Sequence, residues 1–140
     1  MPIINLKVSL PESSKTLQLI ANELTHLTEK FLKKKPEVTA ITILPVNREN
    51  WFINKVSLNE TNQNSFYLDI KVTDGTNSKD EKREFLKATF DFMDSILENL
   101  NTESYVYVED VKADAYGFGG LTQEYRYIKN QSESLNIGSD

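Results

Sequence analysis

Near its start the chain alternates. Ile4, Leu6 and Val8 fall on one side and Ile3, Asn5 and Lys7 on the other. A two-residue period of this kind predicts a strand with one buried face. Pro11 then breaks the pattern, and from about Ser13 the period lengthens. Leu17, Ile20, Leu24, Leu27 and Phe31 recur at spacings of three and four, which predicts an amphipathic helix ending at "KKKP". The β-branched run "VTAITILPV" predicts a second strand, with Ile41 and Ile43 sharing a face. "VNRENWFINKVSL" reads as a turn with a short return strand.

The same unit is then written again. "SFYLDIKVT" predicts a strand, and "DGTNSKD" a turn with a helix N-cap at Asn77 or Ser78 and acids in the first helical turn. The helix is expected to run to about Asn99, with Phe85, Thr89, Phe92, Ile96 and Leu100 along one stripe and Phe90, Met93 and Leu97 broadening it. "SYVYVEDV" is the next strand, and "DAYGFGGLTQEYRYI" a glycine-rich turn into a return strand. Asn5 and Asp69, Lys7 and Lys71, and Val8 and Val72 are each 64 residues apart. Ile41 and Val106, Val46 and Val111, and Trp51 and Tyr116 are 65 apart.

The expected fold class is therefore α+β: a tandem β-α-β-β repeat whose two helices pack on a shared four-stranded sheet. The first unit covers residues 1–60 and the second 65–128, joined through "NETNQNS". The polar segment 129–140 reads as a disordered tail. Neither unit alone has strands enough for a core, so the two form one compact domain.

Composition removes several function classes. Sixteen basic against 21 acidic residues give a net charge of −5, which speaks against nucleic acid as a partner. The one dense basic run, Lys33, Lys34 and Lys35, follows the first helix, where positive charge complements the helix end. With no cysteine there is neither a disulfide framework nor a thiol nucleophile. The single histidine, His26, reads as a helix-surface residue, and no metal or other cofactor is expected. Without a signal peptide or long apolar run, a cytoplasmic location with no membrane partner is the expectation. "GFGG" lacks the strand-loop-helix context of a phosphate loop, so its glycines are read as serving the hairpin backbone.

Pro2, the duplicated unit and the aromatic before a glycine-rich hairpin together resemble the tautomerase superfamily, whose founding type is 4-oxalocrotonate tautomerase. "MPIINLKVS" carries the resemblance in the first half. "DGTNSKDEK" and "ADAYGFGG" carry it in the second, with "RENWFINK" as a degenerate first hairpin. The likeness covers about residues 2–128 and is to fused members of the superfamily, which implies a homotrimer with two joined units per chain. It implies removal of Met1 and a catalytic amine at Pro2. The second-half equivalent of Pro2 is Phe66, which carries no free amine, so one such site per chain is expected.

An ordinary α-amino group has a pKa of about 7.7–8.0, and burial in an apolar pocket lowers it. One unit of lowering takes the neutral fraction at pH 7 from about one eighth to more than half. Such an amine is a competent general base. The implied activity is proton movement on a small enolisable or α,β-unsaturated carbonyl compound. Superfamily hydratases and dehalogenases, with protonated Pro2 as acid, and a trimeric binding protein without catalysis are the alternatives.

The chain departs from the family pattern in its cations. The arginines that hold substrate in related enzymes correspond to about Glu12, Thr76, Ala40–Thr42 and Tyr105. The arginines present are Arg48, Arg83 and Arg126. Arg83 is expected on the solvent face of its helix, while Arg48 and Arg126 are candidate substrate-binding residues. Tyr116 and Trp51, at the matched aromatic positions, are candidate pocket walls or alternatively core or interface residues. Asp69, Asp74, Asp110 and Asp114 could activate water, but no pair has diagnostic spacing.

Overall fold

The computed structural model describes residues 2–10 and 13–139, with side chains through residue 133. Pro11 and Glu12, expected to break the chain after the first strand, lie outside the described residues. The first unit is β1 (Ile3–Val8), α1 (Ser14–Leu32), a 3-10 turn at Pro36–Val38 and β2 (Ala40–Pro45). A second 3-10 turn at Arg48–Asn50 leads into the hairpin of β3 (Phe52–Ile53) and β4 (Val56–Ser57), then the single turn of α2 (Leu58–Thr61). The second unit is β5 (Phe66–Thr73), α3 (Lys79–Ile96), β6 (Tyr105–Val111), and the hairpin of β7 (Gly117–Phe118) and β8 (Leu121–Thr122). Last comes α4 (Gln123–Ser139).

The four long strands form one sheet in the order β2-β1-β5-β6. Each unit pairs its own two strands in parallel, and the units meet through the antiparallel pair β1–β5. In that pair Asn5 stands opposite Asp69, its own repeat equivalent. A pseudo-two-fold axis therefore passes between these residues. The register of the outer pairs repeats as well: Ile4 faces Ile41, and Leu68 faces Val106.

Alternation decides which face is buried. Ile4, Leu6 and Val8 of β1 and Phe66, Leu68, Ile70 and Val72 of β5 all point to the helix side and are fully buried. They meet Ile20, Leu24, Leu27 and Leu32 of α1, and Phe85 and Met93 of α3 with Leu97 just beyond. The buried line of α3 thus runs through Phe85, Thr89 and Met93, while Phe92, Ile96 and Leu100 are only partly buried. The helix also stops at Ile96, short of the expected Asn99. His26 is exposed on α1.

Among the described residues, no layer covers the other side of the sheet. Across it run the rows Leu44, Lys7, Tyr67, Tyr105 and Thr42, Asn5, Asp69, Tyr107. Leu44, Tyr105 and Tyr107 are each more than half exposed. Polar contacts link the rows near the axis. Thr42 donates to Asn5 at 2.7 Å, Asn5 to Asp69 at 3.3 Å, and Lys71 pairs with Asp69 at 3.1 Å.

The C-terminal segment corrects the sequence reading. The return strand lasts only through Leu121–Thr122, and "QEYRYI" opens a helix rather than extending that strand. Residues 129–139, expected to be disordered, continue that helix. Residues 123–139 lack proline and carry no regular apolar stripe, so a helix forms there without the 3.6-residue period that would reveal it. No helix among the described residues is long and apolar enough to cross a membrane.

Candidate active site

Pro2 is buried where β1 begins. Its carbonyl accepts from the Ala40 N–H at 3.1 Å, which ties the first residues to the start of β2. Beside it is a cavity of about 370 Å3, walled by Ile3, Tyr116, Gly117 and Phe118 and closed by the turn residues Glu37 and Val38. Three separate segments therefore converge: the chain start, the α1–β2 connection, and the β7–β8 hairpin of the other unit.

The hairpin can close on itself because Gly117 has no side chain. A Cβ there would lie 2.0 Å from the Leu121 carbonyl oxygen. The preceding Tyr116 is thereby set against the sheet end, and its hydroxyl donates to the Lys71 carbonyl at 3.3 Å. Burial raises the pKa of this phenol above its ordinary value, while a backbone hydrogen bond from Ile3 and the Lys71 charge oppose the rise. The balance keeps the hydroxyl protonated at neutral pH, so the wall it forms is uncharged.

Of the candidate substrate-binding residues Tyr116, Trp51, Arg48 and Arg126, Tyr116 alone shares this cavity with Pro2. Trp51 lies at the opposite end of β1, lining a separate cavity of about 540 Å3 with Lys7, Leu44, Phe52 and Tyr67. Arg48 borders a third, of about 340 Å3, and spends its guanidinium on the local chain. It donates to Leu58 O at 3.3 Å and to Asn62 Oδ1 at 2.9 Å, fastening α2 to the second 3-10 turn. Arg83 is exposed and paired with Asp80 at 3.5 Å.

Arg126 lies on α4 rather than on a strand. Its guanidinium stacks 3.7 Å over the Phe118 ring and donates to the Phe118 carbonyl at 3.0 Å. Phe118 is a wall of the Pro2 cavity, so Arg126 stands immediately behind it. Lys34 donates to the Thr76 hydroxyl at 2.7 Å. Among the described residues no arginine lines the Pro2 cavity itself, and its only carboxylate is Glu37. Glu37 and Val38 were not singled out in the sequence. The one local signal for Glu37 was its place just after Pro36, where a turn brings the chain back to β2. Among the described residues, no group of three or more His, Asp or Glu could hold a metal ion.

Neither a family model nor a curated protein matches this sequence. Solved structures do match the fold. F6 fused 4-OT, solved as an asymmetric trimer, superposes with a TM-score of 0.74 at 13% identity, over 88% of this chain and 97% of that one. Pt0534 inactivated by 2-oxo-3-pentynoate gives 0.76 at 8% identity, over 88% and 98%. A macrophage migration inhibitory factor-like protein from Entamoeba histolytica gives 0.66 at 15% identity, over 86% and 97%. The chain has the tautomerase-superfamily fold in its fused, double-unit form.

Proposed function

We propose that this chain, built on the fused tautomerase fold, is a cofactor-independent isomerase in which Pro2 is the general base. The carrying observation is that Pro2 is buried beside a cavity walled by Ile3, Tyr116 and Phe118. With Met1 removed, the secondary amine would take a proton from the carbon next to a carbonyl and return it further along the conjugated system. The apolar walls disfavour the charged amine and keep it available as a base near neutral pH, against the exposed Glu37 carboxylate, which favours the charged form. The proline ring restricts the amine's orientation. Activity is then expected to rise with pH as the amine loses its proton, with a midpoint below the ordinary α-amino value of about 7.7–8.0.

2-Oxo-3-pentynoate, which inactivates the structurally similar Pt0534, supplies the test. The amine nitrogen should add to the conjugated triple bond and the proton it loses should end on carbon, so no atom leaves. Intact mass should rise by the whole reagent, with the adduct on the N-terminal peptide. A chain retaining Met1 should neither label nor turn over phenylpyruvate or 2-hydroxymuconate. Pro2→Ala keeps a less constrained primary amine and should lose activity in part. Turnover at the native rate from a blocked terminus would rule Pro2 out as the base.

Glu37 at the cavity supports a second reading, a water-adding or dehalogenating enzyme in which protonated Pro2 is the acid and Glu37 activates water. Glu37→Gln separates the two: it should spare proton transfer on phenylpyruvate and abolish addition of water to an unsaturated acid.

The open sheet face supports a homotrimer in which the sheets face a common centre and the helices lie outside. Leu44, Tyr105 and Tyr107 expose apolar surface that a second copy would cover.

A further inference from the structure

The run Lys33–Lys35 does more than neutralise the end of α1. All three lysines line one cleft of about 460 Å3, which Arg126 and Lys129 of α4 border from the other side. Five of the chain's 16 basic residues therefore gather at one place in a net-acidic protein. Among the described residues, Glu133 is the only carboxylate lining it. Glu81 and Asp110 act on Lys34, and Lys33 on Glu81, from outside the lining, and an entering anion would offset the like charge that remains.

The cleft also holds donors without acceptors. Arg126 Nε and Gln123 Nε2 are inaccessible to solvent and have no hydrogen-bond partner among the described residues. Gln123 is another of the cleft's lining residues. Lys33 and Lys34 are held by Lys30 O and Thr76 Oγ1, each at 2.7 Å. Lys35 and Lys129 have no acceptor among the described residues. Gly119 leaves the space that Arg126 uses, since a Cβ there would come within 3.0 Å of its Nη2.

We propose that this cleft binds the phosphate group of a phosphate ester whose remainder reaches the Pro2 cavity. A free, forked guanidinium would take carboxylate and phosphate alike, two oxygens at a time. Arg126 instead directs Nη2 at the Phe118 carbonyl, and the other cations are separate ammonium groups on two elements. That arrangement suits a dianion with several oxygens accepting from different directions. The two spaces adjoin at Val38 and Phe118, so a ligand seated in both would pass these two side chains. The spanning of both spaces rests on the Pro2 reading; the phosphate site does not.

Calorimetric titration of the full chain with inorganic phosphate, phenyl phosphate and, at matched ionic strength, acetate tests the site. Phosphate should bind at least about tenfold more tightly than acetate, and Lys35→Ala with Lys129→Ala should weaken it by about tenfold or more. Both lysines are exposed, so the melting temperature should hold. In nitrogen-15 spectra, phosphate should shift the Arg126 Nε–H resonance. Phosphate binding no tighter than acetate, or unchanged in the double variant, overturns the site. Phenyl phosphate should slow labelling of Pro2 by 2-oxo-3-pentynoate. Labelling that proceeds at an unchanged rate overturns the spanning ligand while leaving the phosphate site in place. Absence of turnover alone bears only on the isomerase reading.

Discussion

Tyr116 and Gly117 are neighbours that divide one task. Gly117 lets the β7–β8 hairpin close on itself, and Tyr116 is thereby held with its hydroxyl on Lys71 O and its ring in the wall of the Pro2 cavity. Removing the ring should admit water and loosen the pocket. Tyr116→Ala is expected to lower kcat/KM by about tenfold, a barrier change of about 1.4 kcal/mol. Arg83→Ala, which removes an exposed ion pair on α3, should leave kcat/KM within twofold. Equal losses in two folded variants, checked by circular dichroism, would take Tyr116 out of the site. The three arginines carry a further lesson at this scale. Their number was plain in the sequence, but their work was not. Arg48 holds α2, Arg83 faces solvent, and Arg126 stacks behind Phe118.

The two long helices begin differently although they occupy equivalent places in the repeat. At α3 the Ser78 side chain accepts from Glu81 N at 3.1 Å and the Glu81 side chain accepts from Ser78 N at 2.8 Å. The sequence left the cap between Asn77 and Ser78, and the reciprocal pair gives it to Ser78. At α1 the Ser13 side chain makes no capping bond, and the stabilising contact is at the other end. There Lys33, in the left-handed region, returns its N–H to Glu29 O. Ser78→Ala should therefore cost about 1 kcal/mol and lower the melting temperature by about 4 °C at fixed protein concentration. Ser13→Ala should change it by less than 1 °C, and differential scanning calorimetry of the pair decides the matter. In α4 the physical basis of the sequence reading failed. Tyr125, Tyr127, Ile128, Leu135 and Ile137 do not keep a regular 3.6-residue period, so "QEYRYI" reads as alternation and the following residues as disorder.

For the whole molecule the central fact is an asymmetric sheet. One face is sealed by α1 and α3. The opposite face leaves Leu44, Tyr105 and Tyr107 largely exposed, with polar ties confined to the axis region. A copy covering this surface would bury aromatic area of the kind that dominates interfaces. Sedimentation velocity at micromolar concentration should give a trimer, and Tyr107→Lys, which places charge in that face, should shift the distribution toward smaller species. A stable monomer of the unaltered chain at that concentration would defeat the trimeric arrangement.

The sequence by itself determined the repeat, the buried faces and the sheet that follows from them. These depend on periods of two and on spacings of three and four, which are properties of neighbouring residues. The 64-residue offset even anticipated that Asn5 and Asp69 would be equivalent, and they pair across the axis. Only the tertiary structure decided what the site contains. Parallel pairing with β1 puts Ala40 beside Pro2 and brings the preceding Glu37–Val38 turn to the cavity, while the second unit contributes Tyr116 and Phe118 from more than a hundred residues away. It also separated Trp51 from Tyr116 and carried Arg126 to the lysines that end α1. Matched positions in a repeat share a backbone environment, but a pocket is made where different elements end together, and no local period records which ends will meet.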